Sequence, residues 1–442
     1  MTPQARLSGA MEVLDDLLAR RRPASDALKD WGLSHRFAGS KDRAGIATLV
    51  YDALRRRASA TWVMGAREEG GEGDQPLRGR ALVLGMLALQ RGMSADQIAS
   101  LCDGSRFAPA PLSDDERARL ARPDLADAPP HVQGDYPAWI HDELAAIFGE
   151  AEAVAEARAL AERAPLDIRV NRLLVTREEA QNALAFLAPI ETPHAPAGLR
   201  IALGEDGRGP ALQSEPEFLK GWIEIQDEGS QLAALLARPA AKAQVVDLCA
   251  GAGGKTLALA ALMENSGQIY ATDADTRRLA PIHDRLARAG VRNVQIRSPR
   301  GKADAVEDLD GRADLVLVDA PCTGTGTWRR NPDAKWRLRP GSLAQRRGEQ
   351  DAVLDRAARL VAPGGRIVYV TCSVLPAEND GALDAFLARH PGFAPVPASA
   401  LMEAAGLATL APLVRPTRHG LQMSPLRTGV DGFYVAALDR RG

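Results

Sequence analysis

The chain has 442 residues, 45% of them hydrophobic and 25% charged, with a formal net charge of −2. That length exceeds one ordinary core and predicts two or three domains, while the balanced charge excludes a generic polycation and leaves local basic patches as the route to nucleic acid. Four cysteines make no disulfide framework in so long a chain, and none has metal-ligand spacing. No stretch approaches the ~18 apolar residues of a membrane span, and the N-terminus lacks the apolar core of a signal peptide. The expectation is a cytoplasmic protein with reduced thiols, no metal and no membrane association.

Residues 5 to 105 read as helices. Leu7, Met11, Leu14, Leu17 and Leu18 recur at helical spacing, as do Ala47, Leu49, Val50, Ala53 and Leu54. Glu69–Gly73 is expected as an exposed loop, and a further helical pair at Ala81–Gln90 and Ser94–Leu101. Cys102 closes the apolar pattern before it and reads as packing. The proline-rich stretch 107–137 reads as a linker. Two helices follow (Trp139–Phe148, Ala151–Arg163), then a run of strand character, Asp167–Val175. From Gln244 strands and helices alternate, with strands at Val245–Leu248, Ile269–Thr272, Val294–Ile296, Leu315–Val318 and Ile367–Val370. Such alternation predicts an α/β, doubly wound, mostly parallel sheet, with Asp431–Leu438 as a late antiparallel edge strand.

Chemistry concentrates at three strand ends. Val245-Val246-Asp247-Leu248-Cys249 flows into the glycine turn Ala250-Gly251-Ala252-Gly253-Gly254-Lys255-Thr256. Leu315–Val318 ends in Asp319-Ala320-Pro321-Cys322, and Ile367–Val370 ends in Thr371-Cys372. Ligands of open α/β sheets bind at the carboxyl ends of strands, so the three ends describe one thiol-dependent and cofactor-dependent site. The glycine turn is not a phosphate-binding P-loop, because Cys249 stands where that motif requires its first glycine. It suits backbone approach to a cofactor without phosphates, and Asp273 after the next strand is placed for ribose hydroxyls.

The segments Asp247–Thr256, Asp319–Gly326 and Tyr369–Ser373, with Gln226–Ser230, Glu378-Asn379 and Asp431–Tyr434, resemble the RNA 5-methylcytosine methyltransferases. That family includes bacterial 16S rRNA enzymes and eukaryotic nucleolar relatives. Arg169-Val170-Asn171 resembles a family segment of the middle domain. Residues 1–105 resemble the NusB-like helical RNA-binding domain at the front of some members. The resemblance implies four parts: a NusB-like domain (1–106), the linker (107–137), an α+β connector domain (138–235) and a Rossmann-like class I methyltransferase domain (236–442). It also implies S-adenosylmethionine as cofactor, held by Cys249, Ala250, Gly251, Ala252, Gly253, Gly254, Lys255, Asp273, Ser298 and Asp319. Cys372 is then the nucleophile toward carbon 6 of cytosine, Cys322 assists product release, and Asp319 holds the cytosine edge.

The chain departs from the family pattern in three places. Ala250-Gly251-Ala252-Gly253 replaces Ala-Ala-Pro-Gly, Arg297-Ser298 stands where an aspartate contacts adenine, and Ala377 precedes Glu378-Asn379 where a second acid is common. For RNA, the basic segment Trp328–Arg347 offers Arg329, Arg330, Lys335 and Arg337 as phosphate contacts and Trp328 and Trp336 as stacking surfaces. The resemblance favours a monomer acting on rRNA. A tRNA methyltransferase and a non-catalytic ribosome-assembly factor are the alternatives.

Overall fold

The structure, a computed structural model, describes residues 1–67, 75–204, 207–299 and 304–442. The loop expected at Glu69–Gly73 lies outside them. The described chain divides into two units. One comprises Met1–Arg163 with Trp328–Arg339, and the other Ala164–Thr327 with Pro340–Gly442.

The first unit is helical apart from a two-residue parallel ladder, β1 (Ala66–Arg67) with β2 (Gln75–Pro76). Its first helix, Pro3–Arg20, opens on Thr2, whose side chain accepts from the Ala5 N–H, with proline in the first turn. The stripe Leu7, Met11, Leu14 and Leu17 faces a core shared with Ile46, Val50, Leu54, Leu82, Met86 and Cys102. Helices Arg57–Val63 and Gly79–Leu89 approach so closely at Gly85 that a Cβ there would lie 2.7 Å from Ala60.

The stretch 107–137 is not the linker its prolines suggest. Ser113 and Glu116 form a capping box that opens the helix Asp114–Ala121, and Pro130 sits in the first turn of Pro130–Gln133. Leu120, Val132 and Tyr136 are buried. Helices His141–Phe148 and Glu150–Ala161, expected with the middle domain, also belong to this first unit.

The second unit holds two sheets. The smaller is antiparallel throughout, in the order β4-β5-β3-β6, from β3 (Leu166–Val170), β4 (Ile190–Glu191), β5 (Gly198–Ile201) and β6 (Ile223–Ile225). Asn171, just beyond β3, donates from Nδ2 to the carbonyls of Gly221 and Ala289, both at 2.9 Å. The family segment Arg169-Val170-Asn171 therefore ties this sheet to the helix Ile282–Arg288.

The larger sheet has nine strands: β7 (Gln244–Asp247), β8 (Gln268–Ala271), β9 (Val294–Ile296), β10 (Ala313–Asp319), β11 (Val361–Thr371), β12 (Phe393–Pro395), β13 (Arg415–Pro416), β14 (Leu421–Met423) and β15 (Phe433–Arg440). Strands β9-β8-β7-β10-β11 run parallel, and β15 is antiparallel to β11. The order reverses between β7 and β10, which is the switch point where a doubly wound sheet opens a crevice. The late strand is antiparallel as expected but not an edge. Strand β15 lies between β11 and β14 and also pairs with β12. Its run Tyr434-Val435-Ala436-Ala437-Leu438 is fully buried, as an interior strand covered on both faces requires. The segment between β8 and β9 forms two helices, Thr276–Leu279 and Ile282–Arg288, broken at Pro281. No helix among the described residues is long and apolar enough to cross a membrane.

Candidate active site

Strand β7 ends at Asp247, and the glycine turn that follows delivers the helix Gly254–Leu262. Gly253 takes φ 85°, and a Cβ there would meet Ile282 at 2.5 Å, so both conformation and space demand glycine. The turn is held from outside, since Arg285 donates to the Ala252 carbonyl at 2.8 Å while pairing with Glu224. Arg285 and Arg288, both paired with Glu224, thus brace the fold.

Asp273, beyond β8, accepts from the Gly251 N–H and the Asp275 N–H, both at 2.9 Å, one on each carboxylate oxygen. A carboxylate has about four acceptor positions, so each oxygen keeps capacity for a ribose hydroxyl. Asp247 accepts from Thr256 Oγ1 at 2.7 Å on one oxygen, while its other oxygen is buried without a protein partner. Burial pushes the Asp247 carboxyl up to about 7, against the hydrogen bond from Thr256. An oriented acid at the next strand end and a buried carboxylate oxygen without a protein partner, beside the glycine turn, fit a nucleoside cofactor with a cationic, phosphate-free arm. Cys249 sits in the turn, and burial, together with the acids Asp247, Asp319 and Asp273, raises its thiol well above the usual range. It lines the turn as a neutral group. Ser298 lies exposed two residues beyond β9.

The thiols come together at the next two strand ends. Strands β10 and β11 pair in parallel register with Asp319 opposite Val370, so residues just past each end face one another. The Cys322 and Cys372 sulfurs lie 3.4 Å apart, with both cysteines free. Lys255 donates to Asp319 Oδ2 at 2.7 Å and lies 5.3 Å from the centre of the Phe433 ring. Burial disfavours the Lys255 ammonium, but Asp319 outweighs it and holds its pKa above the ordinary lysine value, with further support from Cys372 and Asp247. Lys255 therefore stays cationic beside the thiol pair.

The turn carrying Cys322 is fixed from several sides. Glu378 accepts from the Thr323 N–H at 2.8 Å and from the Thr323 hydroxyl, and Gln350 donates to the Pro321 carbonyl at 2.9 Å. Gly326 donates to the Cys372 carbonyl at 2.9 Å, and its own carbonyl accepts from Gly432 at 2.8 Å. A Cβ on Gly326 would lie 1.9 Å from the Gly432 carbonyl oxygen, which explains the glycine at each position. Sequence reasoning gave no site role to Asp247, Gln350, Phe433 or Glu378. The terminal acid of the β7 run was the available signal for Asp247. Glu378 and Phe433 lie in the family-like segments Glu378-Asn379 and Asp431–Tyr434, whereas Gln350 carries no signal, because its partners lie far away in sequence.

The RNA contacts expected from Trp328–Arg347 need correction. Lys335 is 1% exposed and lies inside the helical unit, where its ammonium donates to the carbonyls of Asp135 at 2.6 Å and Arg55 at 3.2 Å. It does not reach a phosphate. Trp336 packs against the helical core and donates to the Leu54 carbonyl at 2.7 Å, and Trp328 is buried, so neither presents an open stacking face. Arg329 is also buried. Arg330 and Arg337 remain at the surface, with Arg337 paired to Asp333 at 3.2 Å.

Comparison with known proteins bears on this site. Residues 234–439 match the family model for the 16S rRNA methyltransferase RsmB/F, and residues 136–204 match the ferredoxin-like domain of the same methyltransferases. The ribosomal RNA small subunit methyltransferase B of Xylella fastidiosa is 34% identical over 90% of this chain and 92% of its own length. That of Sodalis glossinidius is 33% identical over 78% and 73%. The crystal structure of PH0851 superposes with a TM-score of 0.72 at 27% identity, covering 98% of this chain and 99% of that one. A methyltransferase homolog protein from Pyrococcus horikoshii gives 0.56 at 27% identity over 70% and 97%. The paired thiols, the glycine turn and the sheet that carries them thus lie within the matched segment, and the chain belongs to the RsmB/F family of 16S rRNA methyltransferases.

Proposed function

We propose that this chain methylates carbon 5 of a cytosine in RNA, with 16S rRNA as the favoured substrate and S-adenosylmethionine as the methyl donor. The observation that carries the reading is the thiol pair, 3.4 Å apart at the ends of adjacent parallel strands and beside the Lys255–Asp319 ion pair. Carbon 5 of cytosine is a poor nucleophile until a group adds across the ring, and a thiolate adding at carbon 6 provides that activation.

Cys372 is the adding thiol. The family resemblance gives this role to the Thr-Cys thiol, and the Lys255 cation interacts with it. Lys255 takes one oxygen of Asp319, and the other is assigned to the cytosine edge, where a carboxylate favours the protonated ring. Cys322 is the partner for product release: as a thiolate it takes the proton from carbon 5, the electron pair of that C–H bond restores the ring double bond, and the Cys372–carbon 6 bond breaks with its pair returning to the Cys372 sulfur. When bound, the cofactor supplies an electrophilic methyl group. It is assigned to the turn Cys249–Gly254, with Asp273 toward the ribose and Ser298 toward the adenine. The helical first unit and the surface residues Arg330 and Arg337 are assigned to RNA, whose target nucleotide must leave any base stack to reach the thiols.

The test is transfer of labelled methyl from S-adenosylmethionine to 16S rRNA and to tRNA by wild type, Cys372→Ala and Cys322→Ala, with covalent RNA adducts followed on denaturing gels. Label in rRNA cytosine that disappears in Cys372→Ala, with adduct accumulating in Cys322→Ala, is the expected result. Adduct accumulating in Cys372→Ala reverses the two roles. Transfer to tRNA alone changes the substrate, and cofactor binding without transfer to any RNA overturns the enzymatic reading.

A further inference from the structure

Two nearly equivalent thiols in van der Waals contact need something to make them different. Glu378 is fully buried, and its carboxylate is bonded to both of the turns that carry the thiols. Toward Cys322 it accepts from both the N–H and the hydroxyl of Thr323, the next residue in the chain. Toward Cys372 it contacts the hydroxyl of Ser373, again the next residue. Ser373 Oγ lies 3.0 Å from Thr325 Oγ1, which accepts from the Val374 N–H at 2.9 Å, closing a ring of hydrogen bonds around both turns. Gln350 donates both to Glu378 at 3.2 Å and to the Pro321 carbonyl at 2.9 Å, so it braces the carboxylate against the Pro-Cys corner. The Glu378 backbone is fixed too, its carbonyl accepting from the Tyr369 hydroxyl at 2.7 Å.

We propose that Glu378 is the positioning residue that joins the two thiol-bearing turns and sets the two thiols apart, so that Cys372 is the one that reacts first. The inference rests on the paired-thiol reading above. Cys322 interacts electrostatically with Cys372, Glu378 and Tyr369, and Lys255 interacts with Cys372. In support, the hydrogen bond with Cys372, then burial, and then the charges of Cys372 and Glu378 all push the Cys322 thiol well above its ordinary range. A like charge a few ångströms away moves such a group by about one unit or more, or about tenfold in thiolate at fixed pH.

The test needs no RNA. The full-length wild type and Glu378→Gln are treated with iodoacetamide between pH 6.5 and 9, and the rates at Cys322 and Cys372 are read separately by peptide mass spectrometry. Labelled methyl transfer to 16S rRNA is measured in parallel. In wild type, Cys372 is expected to be alkylated first. In Glu378→Gln, Cys322 alkylation rises about tenfold at fixed pH, Cys372 changes much less, and methyl transfer falls. Wild-type Cys322 reacting first overturns the proposal, and this arm is independent of whether the variant folds. Unchanged alkylation rates in a folded Glu378→Gln also overturn it, with or without loss of transfer, because a purely structural role would leave the order of reactivity in place. Absence of methyl transfer in wild type would count against the cytosine reading, and the alkylation order would still decide the role of Glu378.

Discussion

Replacing Lys335 by methionine tests whether this lysine is an interior strut or a phosphate contact. Burial, then the nearby Arg55, Arg56 and Arg57, bring the ammonium down to about 7 from its ordinary 10.5, against the attraction of Asp135. Between those two values the unfolded chain keeps a proton that the folded chain releases, so wild-type stability rises with pH across that window. The slope approaches 1.4 kcal/mol per pH unit for one proton. From pH 7.5 to 9.5 the wild type should therefore gain about 2.5 kcal/mol relative to Lys335→Met. Methionine also leaves the Arg55 and Asp135 carbonyls without their donor, at about 1–3 kcal/mol each, but that offset does not vary with pH. Equilibrium urea unfolding of both proteins at four or five pH values isolates the titrating part as the change in the gap. A gap that stays flat, together with weaker RNA binding by the variant, would refute the burial argument and restore Lys335 as a phosphate contact.

Asp247→Asn probes the opposite sign. A carboxyl raised to about 7 in the folded state, from an ordinary 3.8, loses stability as pH rises through that interval. The asparagine variant should therefore gain on wild type by up to about 1.4 kcal/mol per pH unit between pH 4 and 7, measured by the same unfolding series. Lys255→Met removes the partner of Asp319 and the cation beside Cys372, and methyl transfer should fall by about a hundredfold or more while the chain still folds. Gly326→Ala drives a methyl group into the Gly432 carbonyl and should cost more than about 2 kcal/mol in unfolding experiments, with both thiols becoming more accessible to alkylation.

Much of the catalytic sheet is written locally. Strands β7, β10 and β11 announce themselves as apolar runs because they are buried on both faces, and each ends in a residue that interrupts the run with chemistry: Asp247, Asp319 and Cys372. The pairing of the thiols follows from those ends once the strands are adjacent. What local pattern does not show is the partner across the fold. Glu378 and Thr323 stand 55 residues apart, and nothing near either one indicates a clamp. Lys335 misleads for a related reason. Its partners are backbone carbonyls, which carry no sequence signature, so a lysine among arginines reads as solvated. The prolines of 107–137 mislead because proline marks both linkers and first helical turns, and here Pro130 does the second.

The excursion Trp328–Arg339 has a consequence for synthesis. The chain departs from the sheet after Thr327, contributes Lys335 and Trp336 to the core of the helical unit, and rejoins the sheet with the helix Pro340–Leu360. The helical unit is therefore discontinuous, and a nascent chain cannot finish it when residue 163 emerges from the ribosome. It must wait for another 165 residues before Trp328 appears. Vectorial folding, in which the first domain closes before the second is made, is interrupted here. A fragment ending at Arg163 would lack part of its own interior, so dissection of this protein into expressible pieces has to carry the 328–339 segment along.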